Sequence, residues 1–162
     1  MKKNDSFRFE ELHVERTFVS PELQGVAKGN PWTEHRKQYK VLRDGIEVAY
    51  VSFDFDRPEG NNLYLLYVAK GFRGQGIGSR CLEFAVELTK ELKRPRLTVL
   101  PRHYEESSAD PKTQKRNQKK LEQWYRDGGF RVMRGVRMFG DQRLFAIKIT
   151  PPATASNGRR QR

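Results

Sequence analysis

The chain has 162 residues, a formal net charge of +12 from 32 Lys+Arg against 20 Asp+Glu, and a hydrophobic share of 36%. That length suits one domain burying about two-thirds of its unfolded surface, and no stretch approaches the ~20 consecutive apolar residues of a membrane-spanning helix. The basic excess points to an acidic partner, whether RNA, DNA or an anionic cofactor, and says little about the fold.

Met1-Lys2-Lys3-Asn4-Asp5 has basic residues but no apolar segment behind them, so it is not expected to act as a secretory signal. Phe7, Phe9 and Leu12 alternate with charged residues and predict a first strand, followed by an irregular or helical stretch up to Trp32. Gly29-Asn30-Pro31 breaks the chain before that tryptophan. Residues 37–43 and 46–55 read as two strands joined by Arg43-Asp44-Gly45, a hairpin signal of the Asp-Gly kind. Residues 57–62 (Arg-Pro-Glu-Gly-Asn-Asn) form a turn into an extended apolar run at 63–69.

A glycine-dense segment follows, and then a helical pattern with Ile77, Cys81, Ala85, Leu88 and Leu92 on one face. Lys93-Arg94-Pro95 ends that helix, because proline cannot continue it, and residues 96–100 make a short buried strand. The lone Cys81 has no partner for an internal disulfide; it is expected to be a small core residue and fits a reducing cytoplasm. Residues 101–111 are polar and irregular. A helix over 112–127 carries Leu121, Trp124 and Tyr125 and stops at Gly128-Gly129.

Residues 130–139 and 143–150 predict a final hairpin, so a single domain is expected over 1–150. The segment 151–162 is basic and has nothing to bury, which predicts a disordered tail. Basic residues concentrate at 93–96, at 112–120 and in that tail, without a recognised nucleic-acid-binding motif.

The segment Val68-Ala69-Lys70-Gly71-Phe72-Arg73-Gly74-Gln75-Gly76-Ile77-Gly78-Ser79-Arg80 is a strand turning tightly through glycines into a helix. Such a turn leaves backbone N–H groups unpaired at the helix start, where the helix dipole also favours a phosphate or pyrophosphate. A P-loop is excluded, because Ile77 stands where its lysine belongs after Gly71 and Gly76. A dinucleotide fingerprint is excluded as well: Gly74-x-Gly76 and Gly76-x-Gly78 lack the third glycine, with Ser79 and Cys81 in its place.

What remains is Arg73-Gly74-Gln75-Gly76-Ile77-Gly78 behind Leu66-Tyr67-Val68, which resembles the acyl-coenzyme A loop of the GNAT superfamily of N-acetyltransferases. Trp124-Tyr125-Arg126-Asp127-Gly128-Gly129-Phe130 resembles the later helix of the same family, and the likeness covers roughly residues 5–150. It implies an α/β fold with a central mixed sheet of about six or seven strands flanked by helices. It also implies an acyl-CoA-dependent N-acyltransferase that moves an acetyl group from acetyl-CoA to a primary amine by direct attack.

On that resemblance the pyrophosphate sits on N–H groups of Gly74, Gln75, Gly76, Ile77, Gly78 and Ser79, with Arg73 and Arg80 adding charge. The pantetheine arm lies along Leu66, Tyr67 and Val68, and the Val68 N–H polarises the thioester carbonyl. Tyr125 protonates the leaving thiolate, and Trp124 packs. The asparagine usual near the start of the later helix falls at Gln118, so Gln118 is the expected cofactor contact there.

The general base departs from the family pattern, since its usual glutamate positions read Leu63-Tyr64-Leu65-Leu66 and Thr98-Val99-Leu100. His103 is the leading candidate, with Glu105, Glu106, Asp54, Asp56, Glu59 or a water chain as alternatives. The basic balance favours an amine on a protein or linked to RNA over a polycation. A different class of function, a non-catalytic module holding nucleic acid or a partner protein on the same fold, is the competing expectation. No metal site is expected.

Overall fold

A computed structural model describes residues 6–13, 18–30, 32–102, 110–136 and 142–149. In chain order the elements are β1 (Phe7–Leu12), α1 (Pro21–Lys28), β2 (Arg36–Arg43), β3 (Ile46–Arg57), β4 (Gly60–Val68), a 3-10 turn (Lys70–Phe72), α2 (Ile77–Glu91), β5 (Arg96–Val99), α3 (Pro111–Asp127), β6 (Arg131–Val132) and β7 (Phe145–Lys148). They build one mixed seven-stranded sheet in the order β1-β2-β3-β4-β5-β7-β6, as the α/β expectation required.

Strands β1 to β4 form an antiparallel meander. The β2–β3 hairpin turns through Asp44 and Gly45, both at positive φ (53° and 81°), the geometry that matches strand twist in a two-residue turn. The next turn is tighter than the sequence suggested. β3 runs to Arg57 and β4 starts at Gly60, so only Pro58 and Glu59 remain outside the strands. Gly60 closes this turn at φ 146°, and its missing side chain lets β5 come close, since a Cβ there would meet the Arg96 carbonyl oxygen at 2.5 Å.

The two faces of the sheet are covered unequally. Helices α2 and α3 pack on one face, where Ile77, Cys81, Leu82, Ala85 and Tyr125 join Val41, Val51, Phe53, Leu63, Leu97 and Phe145 in the larger core. The opposite face holds a smaller cluster in which Leu23 and Ala27 of α1 meet Tyr50, Leu65 and Tyr67. α1 starts at Ser20, whose side chain accepts from the Leu23 N–H, and the buried Glu47 carboxylate accepts from the Val19 and Ser20 N–H groups at 3.0 and 2.7 Å. Among the described residues the strands of the final hairpin are shorter than predicted. β7 inserts between β5 and β6, pairing antiparallel with each. The segments at 137–141 and 150–162, including the predicted tail, lie outside the described residues. No described helix is long and apolar enough to cross a membrane.

Candidate active site

Strands β4 and β5 pair in parallel over only three positions, Asn61 with Leu97, Asn62 with Thr98 and Leu63 with Val99. β4 then continues from Tyr64 to Val68, leaving about 16 Å of strand past the last pair. Two local causes open this fork. β5 ends at Val99 and is followed by Leu100-Pro101, and a proline offers no N–H to extend the ladder. On the other arm β4 carries a bulge: Ser52 pairs with Leu65 and Phe53 with Leu63, so Tyr64 is the extra residue. Its effect shows in the packing. Leu63 and Leu66 join the core under α2, whereas Tyr64 and Leu65, consecutive in sequence, both face the α1 cluster.

The backbone along the fork follows from ladder alternation. Ala69 donates its N–H to the Val48 carbonyl at 2.9 Å, so Ala69 and Tyr67 turn toward β3. Leu66 and Val68 turn the other way, into the gap. The Val68 N–H thus faces the gap, and the Leu66 N–H shares its orientation one pair deeper. The Val68 carbonyl accepts from Arg73 Nε at 2.9 Å, and the Arg73 guanidinium lies 5.2 Å from the Tyr67 ring centroid. Arg73 therefore braces the rim of β4 as well as supplying charge beside the turn.

Past Val68 the 3-10 turn is tied down by α1: Glu22 accepts from the Lys70 N–H at 2.9 Å. Gly74 and Gly76 then adopt left-handed backbone (φ 79° and 80°), which a side chain would strain. α2 begins from Gly76 with no side-chain cap and no acidic residue in its first turn. Its first N–H groups, through Ile77, Gly78 and Ser79, therefore keep the donor capacity and positive end of the dipole for an anion. Gly74, Gln75, Gly76 and Ser79 are exposed, and Gln75 accepts from Arg43 Nη1 at 2.9 Å, which links the turn to the end of β2. Arg80 lies over the Phe9 ring (5.2 Å to the centroid).

Gly78 has a use the sequence did not suggest. A side chain there would meet Trp124 Cζ2 at 3.2 Å, so its bare Cα lets α3 approach the start of α2. Trp124 is packing, as read from sequence. Tyr125 is buried at 5% exposure, with its ring edge-on to Trp124 and to Phe130 at 5.0 and 5.5 Å. It sits in the core that α2, β4 and β5 share.

Gln118, expected at the cofactor, donates its amide to the Pro101 carbonyl at 3.0 Å and to Glu122 Oε2 at 3.0 Å. It fastens α3 to the open end of β5. Glu122 was not anticipated. It shares a helix face with Gln118 and Tyr125 at i+4 and i+3 spacing, and Arg143 Nη2 holds its other oxygen at 2.7 Å. The signal was present in that spacing.

Among the carboxylates considered as base, Asp54 is paired with Arg36 at 2.7 Å and Arg57 at 3.1 Å. It lies opposite Asn62, about 20 Å along β4 from Val68. Asp56 is bound to His35 Nδ1 at 2.6 Å, farther still from Val68. His103, Glu105 and Glu106 lie outside the described residues. Cys81 is fully buried, and burial pushes its thiol up to about 12, which removes it as a nucleophile. No group of His, Cys, Asp and Glu able to hold a metal occurs among the described residues.

A strand edge that opens into a gap, followed by an uncapped glycine turn at a helix start, can take an extended amide-bearing arm and an anionic group. The family model of the acetyltransferase (GNAT) domain matches residues 35–132, and the chain belongs to that family. Among solved structures it is similar to a GNAT family acetyltransferase from Elizabethkingia anophelis with acetyl-CoA bound, at 14% identity and TM-score 0.59, over 90% of this chain and 99% of that one. It is also similar to Tetrahymena GCN5, at 13% identity and TM-score 0.60, over 90% and 98% of the two chains. A third is the IAA acetyltransferase from Bacillus cereus ATCC 14579, at 18% identity and TM-score 0.57, over 88% and 99%. No curated protein sequence matches the chain.

Proposed function

We propose that the protein transfers an acetyl group from acetyl-CoA to a primary amine carried by a protein or linked to RNA. The observation that carries this reading is the fork. Past Leu63 the β4 edge turns Leu66 and Val68 into an open gap, and that edge runs straight into a left-handed glycine turn with an uncapped helix start. Acetyl-CoA supplies an activated thioester, a pyrophosphate and an arm of amides, and each has a counterpart there. The N–H groups from Gly74 to Ser79 take the pyrophosphate, and the strand edge takes the arm as a pseudo-strand.

An arm running back from the turn meets Val68 first and Leu66 next, so the last arm amide falls to Val68 and the thioester carbonyl to Leu66, one pair deeper than the Val68 expected from sequence. A donor fixed in the strand stabilises the oxyanion that forms as the amine attacks, without reorganising. The amine nitrogen bonds to the carbonyl carbon and the C–S bond breaks. Tyr125 gives its proton to the departing thiolate and regains one from solvent. Cys81 is buried and protonated, so no acyl-enzyme forms through it and attack is direct. The amine must also shed a proton, and His103, which lies outside the described residues, is the candidate acceptor.

An acetyl-CoA consumption assay over amines, peptides and aminoacyl-RNA tests the reading. Tyr125→Phe is expected to lower kcat by about 100-fold or more, the usual range for a positioned acid, while acetyl-CoA affinity stays within twofold. Equal loss of both would make Tyr125 a packing residue.

A further inference from the structure

We infer that the solvent face of α3 is a docking surface for RNA, separate from the cofactor gap. Lys112, Lys115, Arg116, Lys119 and Lys120 recur at i, i+3, i+4, i+7 and i+8, so they share one arc of about 140° along about 12 Å of helix. All five are exposed, and none forms an ion pair with a described carboxylate. The acids of the helix are spent elsewhere. Asp110 caps the Thr113 N–H, Glu122 holds Arg143, and Asp127 accepts from Gln123 seven residues beyond Lys120.

This arrangement works against the helix that carries it. Three of the five cations fall in the first two turns, at the positive end of the dipole, and α3 has no acidic residue in its first turn. The pairs 112–116, 115–119 and 116–120 repel at i,i+4 spacing, and 112–115 and 116–119 do so at i,i+3. A stripe of charge that opposes local stability on two separate counts is the kind of rule-breaking that a binding role explains. The matching partner is a polymer with one negative charge per unit. A flexible RNA strand can set its phosphates on a cation lattice of about 5–6 Å, which an acidic protein face matches only irregularly. No aromatic side chain lies on the arc, so the contact is to the backbone and independent of sequence. Gln118, on the adjoining face, ties this stretch of helix to Pro101 at the open end of β5, so RNA held here runs past the mouth of the gap.

The test is fluorescence anisotropy of a labelled 20-nucleotide single-stranded RNA titrated with the full chain, with no acetyl transfer involved. Five phosphate contacts predict a log-affinity slope against log salt of about −3.5, or roughly 100-fold weaker binding at 200 mM than at 50 mM salt. K115E/R116E/K119E should weaken binding at least tenfold, bring the slope near about −1.4, and leave calorimetric acetyl-CoA affinity within twofold. Because the reversal relieves repulsion and suits the dipole, it should also raise Tm by about 2–4 °C. K28E/K90E/K148E changes net charge by the same amount elsewhere and should cost less than a third of that loss. The inference is overturned by absence of RNA binding at 50 mM salt, or by equal losses in the two triple variants. It is also overturned if poly-glutamate competes as well as RNA, or if the α3 reversal weakens acetyl-CoA instead.

Discussion

Cys81 lies in the same core as Tyr125, and its reactivity follows from that setting. The Cys81 thiol is enclosed by apolar groups, which disfavour its charged form and push it up to about 12 from an ordinary 9.0. Because the folded value is the higher one, the stabilisation it gives is complete below pH 9. It is lost as pH rises from there through about 12 and the unfolded thiol ionises first. The native protein should accordingly resist a thiol-directed reagent at pH 8 and react with one equivalent once denatured; prompt labelling of the native state would place the sulfur at the surface. Gln118 gives its amide Nε2 to the Pro101 carbonyl and to Glu122, two contacts that fasten α3 to the end of β5 and that its position in the sequence does not indicate.

At the scale of elements, the start of α2 is set by two glycines with unlike reasons. Gly76 holds left-handed backbone in open space, while Gly78 has ordinary helical backbone and stands against Trp124. Gly76→Ala should therefore destabilise by about 1–2 kcal/mol through its backbone alone, a fall of about 2–8 °C in Tm, and weaken acetyl-CoA binding. In Gly78→Ala a gain of about 1 kcal/mol in helix propensity works against a crowded contact that yields by a few tenths of an ångström. Its Tm should stay within a few degrees of wild type while tryptophan emission shifts as Trp124 moves. Matching falls in Tm for both would mean that one mechanism governs the two positions. The turn before α2 is also held from outside, through Glu22 on Lys70, and α1 itself hangs on the buried Glu47.

Across the whole molecule, the parts that were legible in the sequence are those fixed by neighbours in the chain. The Asp44-Gly45 hairpin, the glycine turn and the periodicity of α2 and α3 are local signals, and each was found where expected. The fork was implied only through family likeness, because its causes are long-range. The run Leu63-Tyr64-Leu65-Leu66-Tyr67-Val68 is apolar on both faces and carries no parity signal, so the bulge at Tyr64 leaves no trace in it. The insertion of β7 between β5 and β6, the contact of Gly78 with Trp124 and the engagement of Asp54 by Arg36 join residues far apart in sequence.

These pieces converge on one claim, that the open edge of β4 and the glycine turn hold acetyl-CoA. Calorimetric titration of the full chain with acetyl-CoA tests it most directly. One site per chain is predicted, with a dissociation constant between about 1 μM and 1 mM, weakened in Gly76→Ala and retained in Tyr125→Phe. No detectable binding at about 1 mM acetyl-CoA by a folded wild-type protein would contradict it.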